Sequence, residues 1–503
     1  MAETRHSLLF FTNSEWGQAN VILATIHEFL ILDTLDIHLA SYAALLPRLQ
    51  EFLTSHSISY PRPLKIFCSQ DGKFPSQRPS ITFHTIPGLS IAQLCHQDGI
   101  ATSLPHEPGL KGAIPSYARL EEFFFRHTAD EYMEQEKHSK QVIMKVRPAL
   151  ILSEQGFSPG LDACIELNLP FTILSPNSFK DFEQRLQPGL AMLWKYPALA
   201  SAFPFPVPWK LIPTNIYLWL QMGWTITRSA SSETSRLRTL TAKRHENGIE
   251  GPPPIMIASK RASHILCPSL PELDFPMIIR PTTFGCGPIV LPAQPLVVID
   301  PELDFWLHRG SMKTVLVNLG THYSSDLAFS IEVAHALRGV LEYFNDVQIL
   351  WKMIPQSEGQ LNDIQGAFGQ DLVANTRVRI ETWLKADPVS IIETGKVIVQ
   401  VHHGGANTYF ESCRFAVPQV ILGAWWDTYE YAARVEYLKI GVFANKKAAP
   451  RAEASELLEA LLKVLKDEEF HAKATNLASV VKQHGEGRVR ARDYILELVG
   501  QRT

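Results

Sequence analysis

The chain has 503 residues, 46% hydrophobic and 19% charged, with 47 Lys+Arg against 51 Asp+Glu and a formal net charge of −4. That length predicts roughly two to three domains, and the apolar content excludes bulk disorder. The near balance of charge excludes a generally basic nucleic-acid binder and a polyanionic protein.

The N-terminus, MAETRHSLLFFTNSEWG, has a short apolar run with Glu15 soon after, too short for the core of a signal peptide. Residues 8–12 read as a buried strand. Residues 20–32 read as the following helix, with Asn20 as N-cap. Residues 149–153 are another apolar strand, followed by a helix over 160–167 and a strand over 171–174. Short apolar runs alternating with helical periods argue for parallel sheets covered by helices on both faces.

Residues 200–290 differ. They are proline-rich, with Gly251-Pro252-Pro253-Pro254 and a polar run over 229–244. Residues 203–226 are aromatic and nearly uncharged. Two readings stand: a surface that docks on a bilayer, making a peripheral membrane contact, or a buried lining under a lid. The pentapeptide PELDF occurs at 271–275 and again at 301–305, too little for a repeat architecture. Residues 285–301 read as a linker. The strand–helix grammar then restarts. Strands are expected at 314–318, 347–351, 378–381, 397–402 and 417–422, a turn at Gly320-Thr321, and a helix over 325–344. Residues 456–500 are helical by period.

The six cysteines, Cys68, Cys95, Cys164, Cys267, Cys286 and Cys413, show no CxxC and no Cys/His ligand spacing. Neither a disulfide framework nor a metal site is expected, and the expected compartment is cytoplasmic. No run of about 18 apolar residues predicts a spanning helix. The expected fold class is α/β: two doubly wound Rossmann-like domains facing a central cleft lined by strand C-termini. The expected domains are 1–290, which binds the acceptor, and 291–480, which binds the donor. Residues 481–503 form a C-terminal helix that packs back on the first domain.

The informative segment is 383–441. Strand 397–402 ends in His402-His403-Gly404-Gly405, and a helix opens near Asn407. Glycines let the backbone approach a ligand. A helix N-terminus offers free N–H donors and partial positive charge, which suits a diphosphate. His403, Asn407 and Thr408 add donors. Glu411 is one turn beyond Asn407, on the same face, and an acceptor-only carboxylate suits vicinal sugar hydroxyls. Asp427 follows the next strand and reaches the same crevice. Each feature alone also fits a structural turn, a core histidine or a solvated helix residue; the ordered set is the signal.

This set resembles the donor signature of the family 1 UDP-glycosyltransferases, which have the GT-B fold. That signature begins with a Trp, runs to HGG-x-N-[ST]-x-x-E, then GVP, a DQ pair and a closing Gly. The counterparts are Trp383, His403-Gly404-Gly405, Asn407-Thr408, Glu411, Ala416-Val417-Pro418, Asp427 and Gly441. Val317 to Thr321 resembles the family's phosphate-binding strand end, and residues 203–226 are like the lid of fungal members. The resemblance implies inverting, metal-independent transfer from a UDP-sugar, a co-substrate rather than a cofactor, to a lipophilic small molecule. Trp383 would stack on uracil and Glu411 would bind the ribose. His403, Gly404 and Gly405 with Gly320, Thr321, Asn407 and Thr408 would hold the diphosphate, and Asp427 would contact the transferred sugar. Independently, no Asp-x-Asp occurs in the chain.

The resemblance breaks at the reaction centre. Gln18 stands where the family carries a catalytic His, and glutamine has no accessible titration. Glu154 stands where the family carries an Asp. Three readings stay open: Glu154 acts directly or through a water, the acceptor is acidic enough to need little help, or the protein binds without catalysis. Thr428 replaces the Gln of the DQ pair, which leaves the choice of sugar open. A UDP-sugar epimerase is the third class, and the aromatic 203–226 stretch counts against it.

Overall fold

A computed structural model describes residues 5–56, 59–61, 64–68, 80–100, 104–320, 325–374 and 376–501. The first sheet holds β1 (Ser7–Phe11), β2 (Asp36–Tyr42), β3 (Ile66–Cys68), β4 (Ile81–Ile86), β5 (Leu150–Ser153), β6 (Thr172–Leu174), β7 (His264–Cys267) and β8 (Thr283–Gly285), in the spatial order β3-β4-β2-β1-β5-β6-β7-β8. The second holds β9 (Lys313–Asn318), β10 (Val347–Lys352), β11 (Val378–Glu381), β12 (Val397–His402), β13 (Gln419–Ile421) and β14 (Gly441–Phe443), in the order β11-β10-β9-β12-β13-β14.

Every ladder described is parallel, and β1 lies between β2 and β5 with Phe11 opposite both Ala40 and Ser153. Strands covered on both faces need apolar residues at successive positions rather than alternate ones. Leu8, Leu9, Phe10 and Phe11 are all fully buried, and each contributes about 1.5–3 kcal/mol by burial. Phe10→Ala would cost about 3–5 kcal/mol.

The chain returns to its first domain at the end. The helix Gly487–Gly500 places Ala491, Ile495 and Leu498 in the apolar core that contains Leu8 and Phe10. Tyr494 stacks on Phe284 at 4.3 Å and 8°. Arg488 Nε donates to Glu28 Oε1 at 2.8 Å.

The domain junction combines apolar packing, Leu270 and Leu273 with Tyr409 and Phe205 and Phe275 with Ala433, with buried ion pairs. Arg434 pairs with Asp274 at 3.1 Å, both side chains buried, and donates to Ser178 Oγ at 2.8 Å. Lys180 pairs with Glu430. Removing one partner of such a pair leaves a buried charge uncompensated, at about 3–5 kcal/mol.

Two sequence expectations change, and a third stretch left open takes a definite form. The first helix spans Trp16–Leu32 and begins four residues before Asn20, with Glu15 at the cap. Asn20 is not the cap: its Oδ1 accepts from Arg48 Nε and NH2 at 3.3 and 3.2 Å. The polar run over 229–244 contributes to a helix, Arg236–Glu246, because Ser235 Oγ caps it by accepting from Arg238 N at 3.0 Å. The stretch read as linker ends in two helices, Leu296–Ile299 and Pro301–His308, the second capped by Asp300.

Candidate active site

The side expected to bind the donor is built from the ends of three neighbouring strands. β9 ends at Asn318, whose Oδ1 accepts from Gly320 N at 3.1 Å and fixes the turn. Gly320 has φ +85°, and a Cβ there would lie 2.7 Å from His403 Cε1. The two loops therefore touch, and only glycine fits. Thr321 lies outside the described residues.

β12 ends at His402 and His403, which have different jobs. His402 is fully buried. Its Nε2 meets Gln419 Oε1 at 3.0 Å, its Nδ1 accepts from Gly404 N at 3.2 Å, and burial lowers its pKa to about 4. It is the neutral core histidine. His403 is half-buried and packs against the Trp425 ring at 5.6 Å. Gly404, at φ +93°, lets the chain turn where a Cβ would meet Thr428 O at 2.8 Å. Gly405 is the N-cap of the helix Ala406–Arg414. Asn407 and Thr408 occupy its first turn, half-buried.

Glu411, on the same helix, is pushed up to about 7 by burial and by Asp387, with Arg48 pulling it back. Arg48 comes from the first domain, on the helix Leu46–Ser55, and pairs with Asp387 at 3.5 Å. Trp383 is half-exposed. Lys352 Nζ lies 4.3 Å over its ring, and Trp16 meets it edge-on at 5.7 Å and 86°. Arg48 in turn lies 3.6 Å over Trp16. Sequence reasoning missed Lys352, Arg48 and Trp16. Lys352 had a signal, since it closes a strand whose C-terminal end lines the crevice. Arg48 had none.

The third strand end, after β13, carries Asp427 in the first turn of the helix Trp426–Leu438. Burial pushes Asp427 up to about 6, and backbone N–H groups hold it from rising further. Thr428 turns into its own turn. It is fully buried, and its Oγ1 accepts from Ala424 N and Trp425 N, each at 3.0 Å.

On the side expected to bind the acceptor, Glu154 follows β5 and is buried. Asn13 Nδ2 donates to Oε2 at 2.8 Å and Gly156 N donates to Oε1 at 2.6 Å. Burial lifts its pKa to about 7 against the pull of those two donors. Gln18 is half-buried in the turn that carries Trp16. No hydrogen bond joins Gln18 to Glu154 among the described residues; the carboxylate is oriented by Asn13, the residue two beyond β1. Asn13 and Gly156 also line a cleft with Tyr42, Phe124, His127 and Tyr132.

Among the described residues no group of three or more His, Cys, Asp and Glu could hold a metal ion. No helix there is long and apolar enough to cross a membrane.

Comparison with known proteins bears on this geometry. Residues 377–484 match the family described as erythromycin biosynthesis protein CIII-like, C-terminal domain. The chain is 35% identical over 464 residues to a glycosyltransferase, sdnJ, of Sordaria araneosa, covering 89% of this chain and 85% of the relative. It is 23% identical over 338 residues to the UDP-glycosyltransferase FPY2 of Fusarium mangiferae, covering 64% and 58%. It superposes on a UDP-glucosyltransferase from Polygonum tinctorium capable of glucosylating indoxyl with a TM-score of 0.64, at 13% identity, over 99% of this chain and all of the other.

Proposed function

Because the chain belongs to the UDP-glycosyltransferase family of GT-B-fold glycosyltransferases, we propose that it transfers a hexose from a UDP-sugar to a lipophilic small-molecule acceptor, with inversion and without a metal. UDP-glucose is the proposed donor. The acceptor is a secondary metabolite such as a polyketide, phenol or terpenoid, met in the cytoplasm.

The observation that carries this reading is the contact of three strand ends, Gly320, His403 and the Trp425–Asp427 turn, at the opening of one helix. A diphosphate placed there meets free helix N–H groups and His403. Trp383 gives a flat face for uracil, and stacking on it displaces Lys352 or Trp16 from that face. Glu411 accepts from the ribose hydroxyls, and Asp427 from the hexose.

Glu154 takes the acceptor proton. The acceptor oxygen then attacks the anomeric carbon from the side opposite the diphosphate. The bond from that carbon to the diphosphate oxygen breaks, and its electron pair leaves on UDP. Preorganised donors at the helix end stabilise that developing charge, which is the basis for metal independence. Support for a UDP donor comes from the names of the Fusarium and Polygonum proteins.

A binding-only reading draws on Gln18, which offers no base. A buried carboxylate poised near pH 7 at the end of β5 favours the enzyme. Incubation with UDP-sugars and a panel of phenols, carboxylic acids and terpenoid alcohols, with mass detection and with or without EDTA, decides. Glycosylated product that survives chelation supports the proposal. Absence of product with every acceptor supports binding alone.

A further inference from the structure

The helix Ile212–Ser231 is apolar on two faces. Its inward face, Asn215, Leu218, Trp219 and Met222, is buried, and the apolar part packs with Tyr117 and Trp426. The opposite face carries Tyr217, Leu220 and Trp224, which are 47%, 63% and 62% exposed. The spacing i, i+3, i+7 makes one stripe. A surface helix ordinarily turns polar residues outward; this one does so only in its last turns, at Thr227, Arg228 and Ser231, and is apolar on that face up to Trp224.

The stripe is not isolated. Asn215 Nδ2 donates to Leu193 O at 2.8 Å and to Tyr196 O at 2.9 Å, which ties the helix to the segment bearing Leu190 and Trp194. Those two are 69% and 45% exposed, and Trp209, just before the helix, is 76% exposed. Along the chain, the stretch that bears them carries charge of one sign, between Glu183 and Glu233. Residues 184–232 include Arg185, Lys195, Lys210 and Arg228 and no Asp or Glu.

We propose that this face docks on the surface of an anionic lipid bilayer. Trp and Tyr suit the headgroup boundary, where one end of the ring is apolar and the other wet. Arg185, Lys210 and Arg228, which are exposed, suit lipid phosphates and carboxylates. No described helix is fit to span, so the segment lies on the surface with its outer stripe in the lipid. A second copy of this chain is the poorer occupant, because a two-fold contact would set the same cations against each other. Docking stands independently of the proposed chemistry; if the acceptor is lipophilic, the bilayer is also where it accumulates.

The test uses the full chain, sedimented with phosphatidylcholine vesicles and with phosphatidylcholine/phosphatidylserine vesicles at low and high salt. The expected result is binding to the anionic vesicles that falls with salt. Trp224→Glu and Lys210→Glu should each weaken it by about tenfold or more. Melting temperature should not change, because both side chains are exposed. Absence of binding to anionic vesicles, or binding unchanged in both variants, overturns the proposal. So does a dimer in sedimentation velocity that Trp224→Glu dissolves, which would assign the face to a second copy.

Discussion

The Nε2 of His106, in the first domain, accepts the main-chain N–H of Trp426, in the second, at 3.2 Å. The ring's Nδ1 meets Glu107 O at 2.8 Å, so the neutral tautomer with its proton on Nδ1 satisfies both contacts. His106 N also donates to Ala424 O at 2.9 Å. One residue of the first domain thus holds both ends of the turn that leads into Asp427. It is a positioning residue.

His106→Leu leaves the buried Trp426 N–H without an acceptor, at about 1–3 kcal/mol. Melting temperature should fall, and KM for the UDP-sugar should rise while UDP affinity holds. Burial lowers the His106 pKa to about 4, against about 6.5 in the unfolded chain. The unfolded state therefore binds this proton first as pH drops. The contribution of His106 is complete above pH 6.5 and is lost as pH falls toward 4. Urea midpoints of the parent and His106→Leu should converge over that window. A gap that widens on acidification would show that His106 does not make this contact.

Glu154, raised to about 7, is a base only when ionised. Turnover should therefore rise with pH through about 7. Glu154→Gln should lower it by about 10²–10⁴-fold and remove that rise, with UDP affinity unchanged. Asn13 donates to the carboxylate and favours its ionised form. Asn13→Ala should move the rise to higher pH. Full activity of Glu154→Gln on an alcohol acceptor would remove Glu154 from the mechanism.

UDP affinity should carry its own pH dependence through Glu411. The ionised carboxylate is the better acceptor for ribose hydroxyls, and its pKa is about 7. Binding should tighten as pH rises through 7. Arg48 pulls that pKa down, so Arg48→Ala should shift the tightening to more alkaline pH in calorimetric titrations. An unshifted profile would mean that Arg48 and Glu411 are not coupled.

Thr428 tests the proposed sugar contact. The position of the usual glutamine is filled by a buried hydroxyl that caps its own turn. A glutamine there would have to displace packed atoms. Thr428→Gln should lower thermal stability and should not improve turnover with UDP-glucose. A gain in turnover would mean that the turn accommodates a family-like sugar contact.

How far the sequence reads is clearest at particular residues. β1, β5, β9 and β12 are doubly covered parallel strands, so their apolar runs announce them. The motif from Trp383 to Asp427 is legible because its residues follow in order along one chain. The two PELDF copies show the opposite. At 301–305 the segment is helical, with Asp300 capping by accepting from Leu303 N at 3.1 Å. At 271–275 Leu270 precedes it and offers no cap, and only the short turn Pro271–Leu273 forms. Identity of five residues says less than the residue before them. Arg48 beside Glu411, Asn13 on Glu154 and His106 on Trp426 join positions far apart in sequence. No local pattern encodes them.

Nucleotide choice is the central property proposed for this site, and titration calorimetry with UDP, GDP and dTDP tests it most directly. The site predicts that UDP binds most tightly. It also predicts that His403→Ala weakens UDP by about 1.5–3 kcal/mol, the worth of one hydrogen bond to a charged group, with the fold intact by circular dichroism. No UDP binding by the parent, tighter binding of GDP or dTDP, or unchanged UDP affinity in His403→Ala would contradict it.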